Sequence, residues 1–115
     1  MKSEELRIGN YVYNPIQKID LKVDIKVLSE VFYDEKRKVK LNNQFQPIPL
    51  TEEWLIKLRF DDLGNYGYGI GSFHIVNRLG KWAFPINDKM VFLDYVHQLQ
   101  NLFYDLAKKE LEIKK

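Results

Sequence analysis

A run of ten residues, 18–27, in which charged and apolar side chains alternate, constrains the fold of this chain most strongly. Its apolar positions are Ile19, Leu21, Val23, Ile25 and Val27. A period of two with a single apolar face predicts an antiparallel strand that is buried on one side. Ten residues at about 3.3 Å each reach about 33 Å, which exceeds what a flat sheet in a small domain covers. We therefore expect this strand to bend, with a bulge at Val27-Leu28.

Four further segments have the pattern of strands or hairpins. They are 6–13, 31–41, 66–76 and 81–86. The second of them predicts a hairpin with its turn at 34–37, and the last two predict strands joined near Leu79-Gly80. Between these groups, Pro47 and Pro49 predict irregular backbone ahead of the first helix.

Two segments are predicted to be helices. Thr51 fits the N-cap of a short central helix, and Leu50 and Leu55 have the spacing of a hydrophobic staple. A longer C-terminal helix is expected from about Asp94 to at least Ala107. Its apolar stripe at helical spacing comprises Val96, Leu99, Leu102, Phe103 and Leu106.

The order strands, helix, strands, helix predicts an α+β fold in a single domain over residues 1–115. Hydrophobic residues make up 45% of the chain, which is enough for one core without cross-links. We expect a small, strongly curled antiparallel sheet with the short central helix and the longer C-terminal helix packed on it. The residues Gly-Asn-Tyr-Val at 9–12 resemble the first strand of SH3-like barrels, so the expected sheet is either such a barrel or another strongly curled form.

Charge and cysteine content exclude several classes of protein. There are 18 Lys and Arg against 16 Asp and Glu, a net charge of +2, whereas a dedicated nucleic-acid-binding protein usually has a strong basic excess. The absence of cysteine excludes disulfides and thiolate chemistry. Residues 1–5 lack the apolar core of a signal peptide, and the longest uncharged run, 63–77, is too short and too rich in glycine to cross a bilayer. We expect a cytoplasmic protein without membrane contact.

Three blocks of the sequence resemble a family of small proteins from Bacteroidetes phages and mobile elements. The blocks are LRIGNYV at 6–12, PIPLTEEWL at 47–55 with Phe60, and YVHQLQNLFY at 95–104 with Glu110-Leu111. This chain differs from the family pattern at Arg59, where the family has glycine, and just after the last helix, where glycine is replaced by the run 107–109. The family has no established activity and no catalytic motif, so the resemblance implies a phage or prophage origin rather than a mechanism.

The sequence contains no recognisable catalytic or metal-binding arrangement. Ser72 and His74 share a face of a predicted strand, but positions i and i+2 lie about 6 to 7 Å apart, too far for the hydrogen bond of a catalytic pair. His74 and His97, the two histidines, do not have the spacing of a zinc-binding pair. Asp61-Asp62 lacks the spaced oxygens of a calcium loop. We expect a non-enzymatic protein without a metal or cofactor.

The glycine-rich segment 64–71 is a candidate binding site. Its spacing fits neither the dinucleotide-binding fingerprint nor a P-loop. In a strand, its last three glycines would share one face while Tyr66 and Tyr68 share the other, so that a flat group can approach the backbone closely. That group is either an aromatic side chain of this chain, such as Trp54 or Trp82, or a ligand or partner. A simple flexible loop is a further alternative for this segment.

The last helix carries a second candidate surface. Residues 95–104 contain no formally charged side chain, in a chain that is 30% charged. His97, Asn101 and Tyr104 fall together at i, i+4 and i+7, away from the apolar stripe. An uncharged polar face of this kind predicts contact with protein, either another element of the same fold or a partner.

A basic cluster provides an alternative. Lys36, Arg37, Lys38 and Lys40 lie near the turn of the predicted hairpin, where they would follow nucleic-acid phosphates. The acidic pair at 34–35 adjoins the cluster, which favours a solvated hairpin over nucleic-acid binding.

The sequence therefore predicts a non-enzymatic binding protein of phage or mobile-element origin that acts in the host cytoplasm through protein–protein contacts or self-association. Its predicted contact residues are Tyr66, Tyr68, His97, Asn101 and Tyr104, chosen because tyrosine is a common interface anchor. A protein that sequesters a nucleotide signal at the glycine-rich segment and a weak nucleic-acid-binding module remain the alternatives.

Overall fold

The computed structural model describes residues 6–15, 17–37 and 45–113 of the chain. This part of the chain is α+β, as predicted, with two antiparallel sheets and three α-helices. In chain order the elements are β1 (Tyr11–Asn14), β2 (Ile19–Lys22), α1 (Ile25–Arg37), β3 (Gln46–Pro47), α2 (Glu52–Lys57), β4 (Asp61–Asp62), β5 (Tyr68–Ile70), β6 (Phe73–Arg78), β7 (Lys81–Ile86), β8 (Lys89–Leu93) and α3 (Val96–Ala107).

The two sheets are open. The smaller has the strand order β2-β1-β3, and the larger is a five-stranded meander, β4-β5-β6-β7-β8. From β5 onward, each strand of the meander pairs with the next through a two-residue turn. Within the described residues neither sheet closes on itself, because β4 and β8 are left as the two edges of the meander. The predicted strong curl and SH3-like barrel are therefore not found in this part of the chain.

The predicted ten-residue strand at 18–27 is wrong beyond Lys22. Strand β2 ends there, and helix α1 begins at Ile25. The side chain of Asp24 explains the change, because its Oδ1 accepts a hydrogen bond of 2.9 Å from the backbone N–H of Val27. The Asp24 carbonyl accepts a second hydrogen bond, of 3.0 Å, from the N–H of Leu28. Asp24 thus caps a helix where alternation alone suggested a continued strand and a bulge.

The predicted hairpin at 31–41 is also wrong. Residues 31–37 belong to α1, so its expected turn at 34–37 is the last part of a helix, and 38–41 lie outside the described residues. Ahead of α2, Pro47 lies in β3, a two-residue edge strand that pairs with β1. An edge strand tolerates proline because its outer N–H has no ladder partner to lose.

The second half of the chain follows the prediction more closely. Strand β7 has the predicted bounds, and Leu79-Gly80 forms the turn ahead of it. The single strand predicted at 66–76 is instead a 3₁₀ turn at Gly64–Tyr66 followed by β5 and β6, which are joined at Gly71-Ser72. Strand β8 was not predicted.

Helix α2 begins as expected. The Thr51 hydroxyl accepts a hydrogen bond of 3.3 Å from the backbone N–H of Trp54, and both staple residues, Leu50 and Leu55, are buried. Trp54, Leu55 and Leu58 fill the buried face of this short helix.

Helix α3 covers the core. It begins at Val96, two residues after the predicted start, and the side chain of Gln98 accepts hydrogen bonds from the N–H groups of Asp94 and Tyr95. Three residues of the predicted stripe are buried, whereas Leu106 is half exposed. The backbone on either side of Pro49 pairs with the backbone around Tyr95, which aligns the starts of α2 and α3 above the same core.

Candidate functional site

The glycine-rich segment does not form the alternating strand expected of it. Gly67 and Gly71 have φ values of 93° and 59°, so the alternation of side chains is interrupted at both. Tyr66 is 78% exposed in the 3₁₀ turn, while Tyr68 is buried in β5. The two tyrosines therefore do not share a surface.

The chain's own atoms occupy the space beside these glycines. A Cβ atom on Gly67 would overlap the carbonyl oxygen of Ile75, and one on Gly69 would lie 2.9 Å from Cδ1 of Leu63. Neither of the expected fillers, an internal tryptophan or a ligand, is what makes glycine necessary here. The glycines instead let the 3₁₀ turn and β5 pack tightly against β6.

A groove of about 640 Å³ lies beside this turn. It opens where the β6–β7 hairpin extends past the first residue of β5. Among the described residues, no strand lies opposite Asn77 on that side. Tyr68 and Trp82 line it together with Glu52 and Asp62. We call it the Tyr68–Trp82 groove.

The two aromatic rings of this groove pack edge to face, with centroids 5.7 Å apart and an interplanar angle of 72°. Tyr68 and Trp82 are each only 9% exposed. Among the described residues, neither the Tyr68 hydroxyl nor the Trp82 indole N–H has a hydrogen-bond partner, and neither atom is sealed from solvent. Both polar groups are thus available to water or to a ligand in the groove.

The electrostatic potential in the groove is negative near the Tyr68 hydroxyl. Burial raises the pKa of the Tyr68 hydroxyl, and the charges of Asp62 and Glu52 raise this pKa further. Asp62 also has a structural role, since its Oδ1 accepts a hydrogen bond of 2.8 Å from the N–H of Gly64. The groove therefore disfavours an added negative charge at this position.

The backbone of the glycine-rich turn is not a phosphate cradle. The N–H groups of Leu63, Tyr66 and Gly67 all donate to carbonyl groups within the same turn. The N–H of Gly64 is taken by Asp62. A phosphate loop requires several such N–H groups to point at the anion, so this geometry does not favour nucleotide phosphates.

A second groove, of about 400 Å³, lies between β8 and α3. Phe92 and Leu102 line its apolar part, and His97 and Asn101 line its polar part. We call it the β8–α3 groove.

Strand β8 is an edge strand with unusually exposed apolar side chains. Met90, Val91 and Phe92 are 38%, 40% and 52% exposed. The register with β7 directs the backbone hydrogen-bonding groups of Met90 and Phe92 away from β7. Beyond them, the carbonyl of Asp94 accepts from Leu50, which ends the open part of the edge.

The polar residues predicted on α3 make contacts within the fold. His97 is buried, and its ring stacks on that of Tyr95 with centroids 5.8 Å apart. The side-chain oxygen of Asn101 accepts hydrogen bonds from Arg7, at 2.7 Å, and from the Asn10 side chain, at 2.9 Å.

Tyr104 lies on the same internal network, because the guanidinium carbon of Arg7 is 4.4 Å from the centroid of its ring. The uncharged polar face of α3 thus contacts another element of the same fold, which was one of the two predicted possibilities. Whether it also contacts a partner stays a prediction.

The predicted nucleic-acid cluster is not at a hairpin tip. Lys36 and Arg37 are the last two residues of α1, while Lys38 and Lys40 lie outside the described residues. The predicted absence of a catalytic pair at Ser72 and His74 stays a prediction; Ser72 lies in a turn, and His74 is exposed on β6.

Over the ranges 6–15, 17–37 and 45–113, no cluster of three or more His, Asp or Glu residues has the arrangement of a metal site. No helix in these same ranges combines the length and apolar character needed to cross a bilayer.

The groove residues that sequence reasoning missed come from four separate elements. From the sequence, Trp82 is expected only as an internal filler, and neither Asp62 nor Glu52 is a candidate binding residue. Their one sequence signal is that each adjoins a predicted boundary of a strand or helix. Asn77 has the same weak signal, because it directly follows the predicted strand at 66–76.

Comparison with known proteins adds no assignment: no family model matches the chain, and neither curated proteins nor solved structures give a significant match.

Proposed function

We propose that this chain is a non-enzymatic binding protein that docks a partner protein along the β8–α3 groove by adding a strand to β8. The observation that carries this proposal is the open backbone edge at Met90 and Phe92. An extended segment of a partner forms main-chain hydrogen bonds with such an edge, and its alternate side chains enter the adjoining groove.

The side chains of β8 support this function. Natural sheets protect their edges with charges, prolines or bulges, yet Lys89 is the only charged residue on this strand. Met90 and Phe92 present apolar surface on the outer face, and Phe92 continues into the groove. Of the contact residues predicted from the sequence, His97 and Asn101 line this groove; the three tyrosines lie elsewhere.

We also propose a phage or mobile-element origin and action in the cytoplasm of a bacterial host. Two backbone positions support the family resemblance. Arg59 and Lys108 have φ values of 73° and 57°, a region in which glycine is the least strained residue. The family has glycine at the position of Arg59 and just after the last helix, and Lys108 is the first residue after α3, so both differences are compatible with a shared backbone.

Strand addition is tested by removing one main-chain donor. Phe92→Pro deletes the outward-facing N–H while the ladder to β7 stays intact, and Phe92→Val changes the side chain but keeps the N–H. Each variant is used for affinity capture from a bacterial host extract with quantitative mass spectrometry, and its own mass in solution is measured by light scattering. We expect a partner that wild type and Phe92→Val retain and that Phe92→Pro loses at least about tenfold.

The light-scattering arm distinguishes the kind of partner. A wild-type dimer that Phe92→Pro converts to a monomer identifies a second copy as the docking partner. Captured proteins that are unaffected by Phe92→Pro, together with a wild-type monomer, would contradict strand addition at β8. Circular dichroism of each variant checks that the fold is retained.

A further inference from the structure

The Tyr68–Trp82 groove has the composition of a site for a planar organic cation. Its floor consists of two aromatic side chains that are nine-tenths buried but keep unpartnered polar groups. The Tyr68 hydroxyl can accept a hydrogen bond from a cationic N–H, whereas the Trp82 indole can donate one to a carbonyl. A flat cation is attracted to the faces and oxygens of such a floor.

Two carboxylates lie at the acidic side of the groove. Glu52 belongs to the first turn of α2 and Asp62 to β4, and both are exposed at the groove. Burial raises the pKa of the Tyr68 hydroxyl, and the two carboxylate charges add to this effect. Among the described residues, Arg78 is the single cation of the lining. It lies on the opposite face of β6 from Asn77. The lining thus has an excess of one negative charge.

The open edge of β6 adds a main-chain site. Ile75 pairs with Tyr68, the first residue of β5, and the register to β7 directs the hydrogen-bonding groups of Asn77 toward the groove. No described strand lies opposite Asn77 on this side. An extended peptide can therefore bind here along the line of β5.

We infer that this groove binds an arginine side chain presented by an extended peptide, with its guanidinium group between Tyr68 and the carboxylates of Glu52 and Asp62. A guanidinium group fits better than an ammonium group because its planar fork matches carboxylates and stacks on aromatic rings. The peptide backbone pairs with Asn77, and a peptide carbonyl accepts from the Trp82 indole.

The probe is the capped peptide acetyl-Val-Thr-Arg-Thr-Val-amide, titrated into the full chain. The chain has two tryptophans, so the indole N–H signals in a ¹H–¹⁵N NMR spectrum separate Trp82 from Trp54, which is buried against Tyr11 away from the groove. We expect the Trp82 signal to shift saturably while that of Trp54 remains unchanged. Replacing arginine by neutral citrulline should weaken binding about tenfold.

Charge variants test the carboxylates. Asp62→Asn retains an oxygen for the Gly64 N–H, and Glu52→Gln retains the side-chain shape, so each removes charge with little change in structure. Each variant should lower the affinity for the arginine peptide by about three- to tenfold, and Arg78→Gln should raise this affinity. Asp88→Asn, a matched change in the β7–β8 turn, should leave the affinity as in wild type.

Three outcomes would overturn this assignment. One is the absence of any saturable Trp82 shift at millimolar peptide. Another is equal binding of the arginine and citrulline peptides, or of wild type and Asp62→Asn. The third is a Trp82 shift caused by adenosine monophosphate and not by the peptide, which would establish the groove as a nucleotide site.

Discussion

Arg7 and Asn101 are joined by a hydrogen bond of 2.7 Å between the guanidinium Nε and the side-chain Oδ1, although 94 positions separate them in the chain. The same guanidinium group forms a salt bridge of 2.6 Å with Glu110 and donates a hydrogen bond of 3.2 Å to the carbonyl of Gln100. One side chain thus fixes the segment before β1 to both α3 and the segment after it.

Loss of the hydrogen bonds and the salt bridge of the Arg7 guanidinium group is expected to destabilise the protein. Arg7→Ala should lower the free energy of unfolding by about 2 kcal/mol, because several charge-assisted hydrogen bonds disappear together. Arg7→Lys should recover less than half of this loss, since an ammonium group cannot bond to Asn101 and Glu110 in one plane. Urea unfolding measures both values. Equal stability of Arg7→Lys and wild type would show that only the charge matters.

Gln100 is a buried polar residue whose side chain pairs with three backbone groups. Its Oε1 accepts from the N–H of Tyr11 at 2.9 Å, and its Nε2 donates to the carbonyls of Gly9 and Leu111 at 3.0 and 3.1 Å. Gln100→Met has a similar shape but leaves these three backbone groups unpaired, so the free energy of unfolding should fall by about 3 kcal/mol. Gln98→Met, the same change at the start of α3, should cost about 1 kcal/mol. Denaturant unfolding that ranks the two variants in the opposite order would contradict this role.

Substitution by glycine should stabilise the protein at two positions whose backbone is in the left-handed region. Relief of strain at Arg59 or Lys108 should raise the free energy of unfolding by about 0.5 to 1 kcal/mol for each substitution by glycine. Lys57→Gly, at the last residue of helix α2, provides the control and should lower it by about 1 kcal/mol, since the contacts of Lys57 with Glu53 and Trp54 are lost as well. Thermal unfolding by calorimetry detects both directions. Destabilisation by Lys108→Gly would mean that its side chain makes a contact worth more than the strain.

Gly67 should be the least replaceable of the turn glycines. Gly67→Ala combines a φ of 93° with a clash against the Ile75 carbonyl, and we expect a loss of at least about 3 kcal/mol. Gly71→Ala and Gly80→Ala also meet a positive φ but have open space around the new methyl group. Each should cost about 1 kcal/mol in the same urea titration. Similar losses at all three positions would contradict the close packing of Gly67 on β6.

The ion pair between Lys22 and Glu112, with its atoms 3.0 Å apart, has a predictable pH dependence. The hydrogen bond that the Lys22 ammonium group donates to the Glu112 carboxylate raises the pKa of Lys22, and burial opposes this effect. Because the folded-state pKa is the higher one, the contribution is present at neutral pH and is lost as pH rises beyond about 10.4 through that pKa. The pair is about half exposed, so Lys22→Gln should cost less than about 0.5 kcal/mol at pH 7 and almost nothing at pH 11.5. A cost that persists at high pH, measured by urea unfolding, would point to packing of the lysine stem.

The sequence predicted those elements whose ends carry local signals. The Thr51 cap and its leucine staple located α2, and Leu79-Gly80 located the turn ahead of β7. At Asp24 two signals conflicted, because a cap residue falls within an alternating run, and the helix that follows was missed. Strand β8 does not alternate between apolar and polar residues, because Met90, Val91 and Phe92 are consecutive and all exposed at an edge. Its sequence therefore lacks the period of two by which a strand is predicted.

The candidate sites were less predictable because they depend on tertiary register. Tyr68 was selected from the sequence, but the other aromatic of its groove, Trp82, reaches it only through the pairing of β5, β6 and β7. Tyr66, two residues earlier, was selected by the same reasoning and lies outside the groove. Sequence spacing cannot distinguish these two tyrosines, because the positive φ of Gly67 separates their environments.

The two-residue turns of the meander also affect the order of folding. Strands β5 to β8 contact their immediate neighbours in the chain, so little entropy is lost in closing them. The hydrogen bonds of Gln100 to Tyr11 and of Arg7 to Glu110 close loops of 89 and 103 residues. We expect these ends to dock after the rate-limiting step. Substitutions at Gln100 should then accelerate unfolding while the folding rate stays nearly constant.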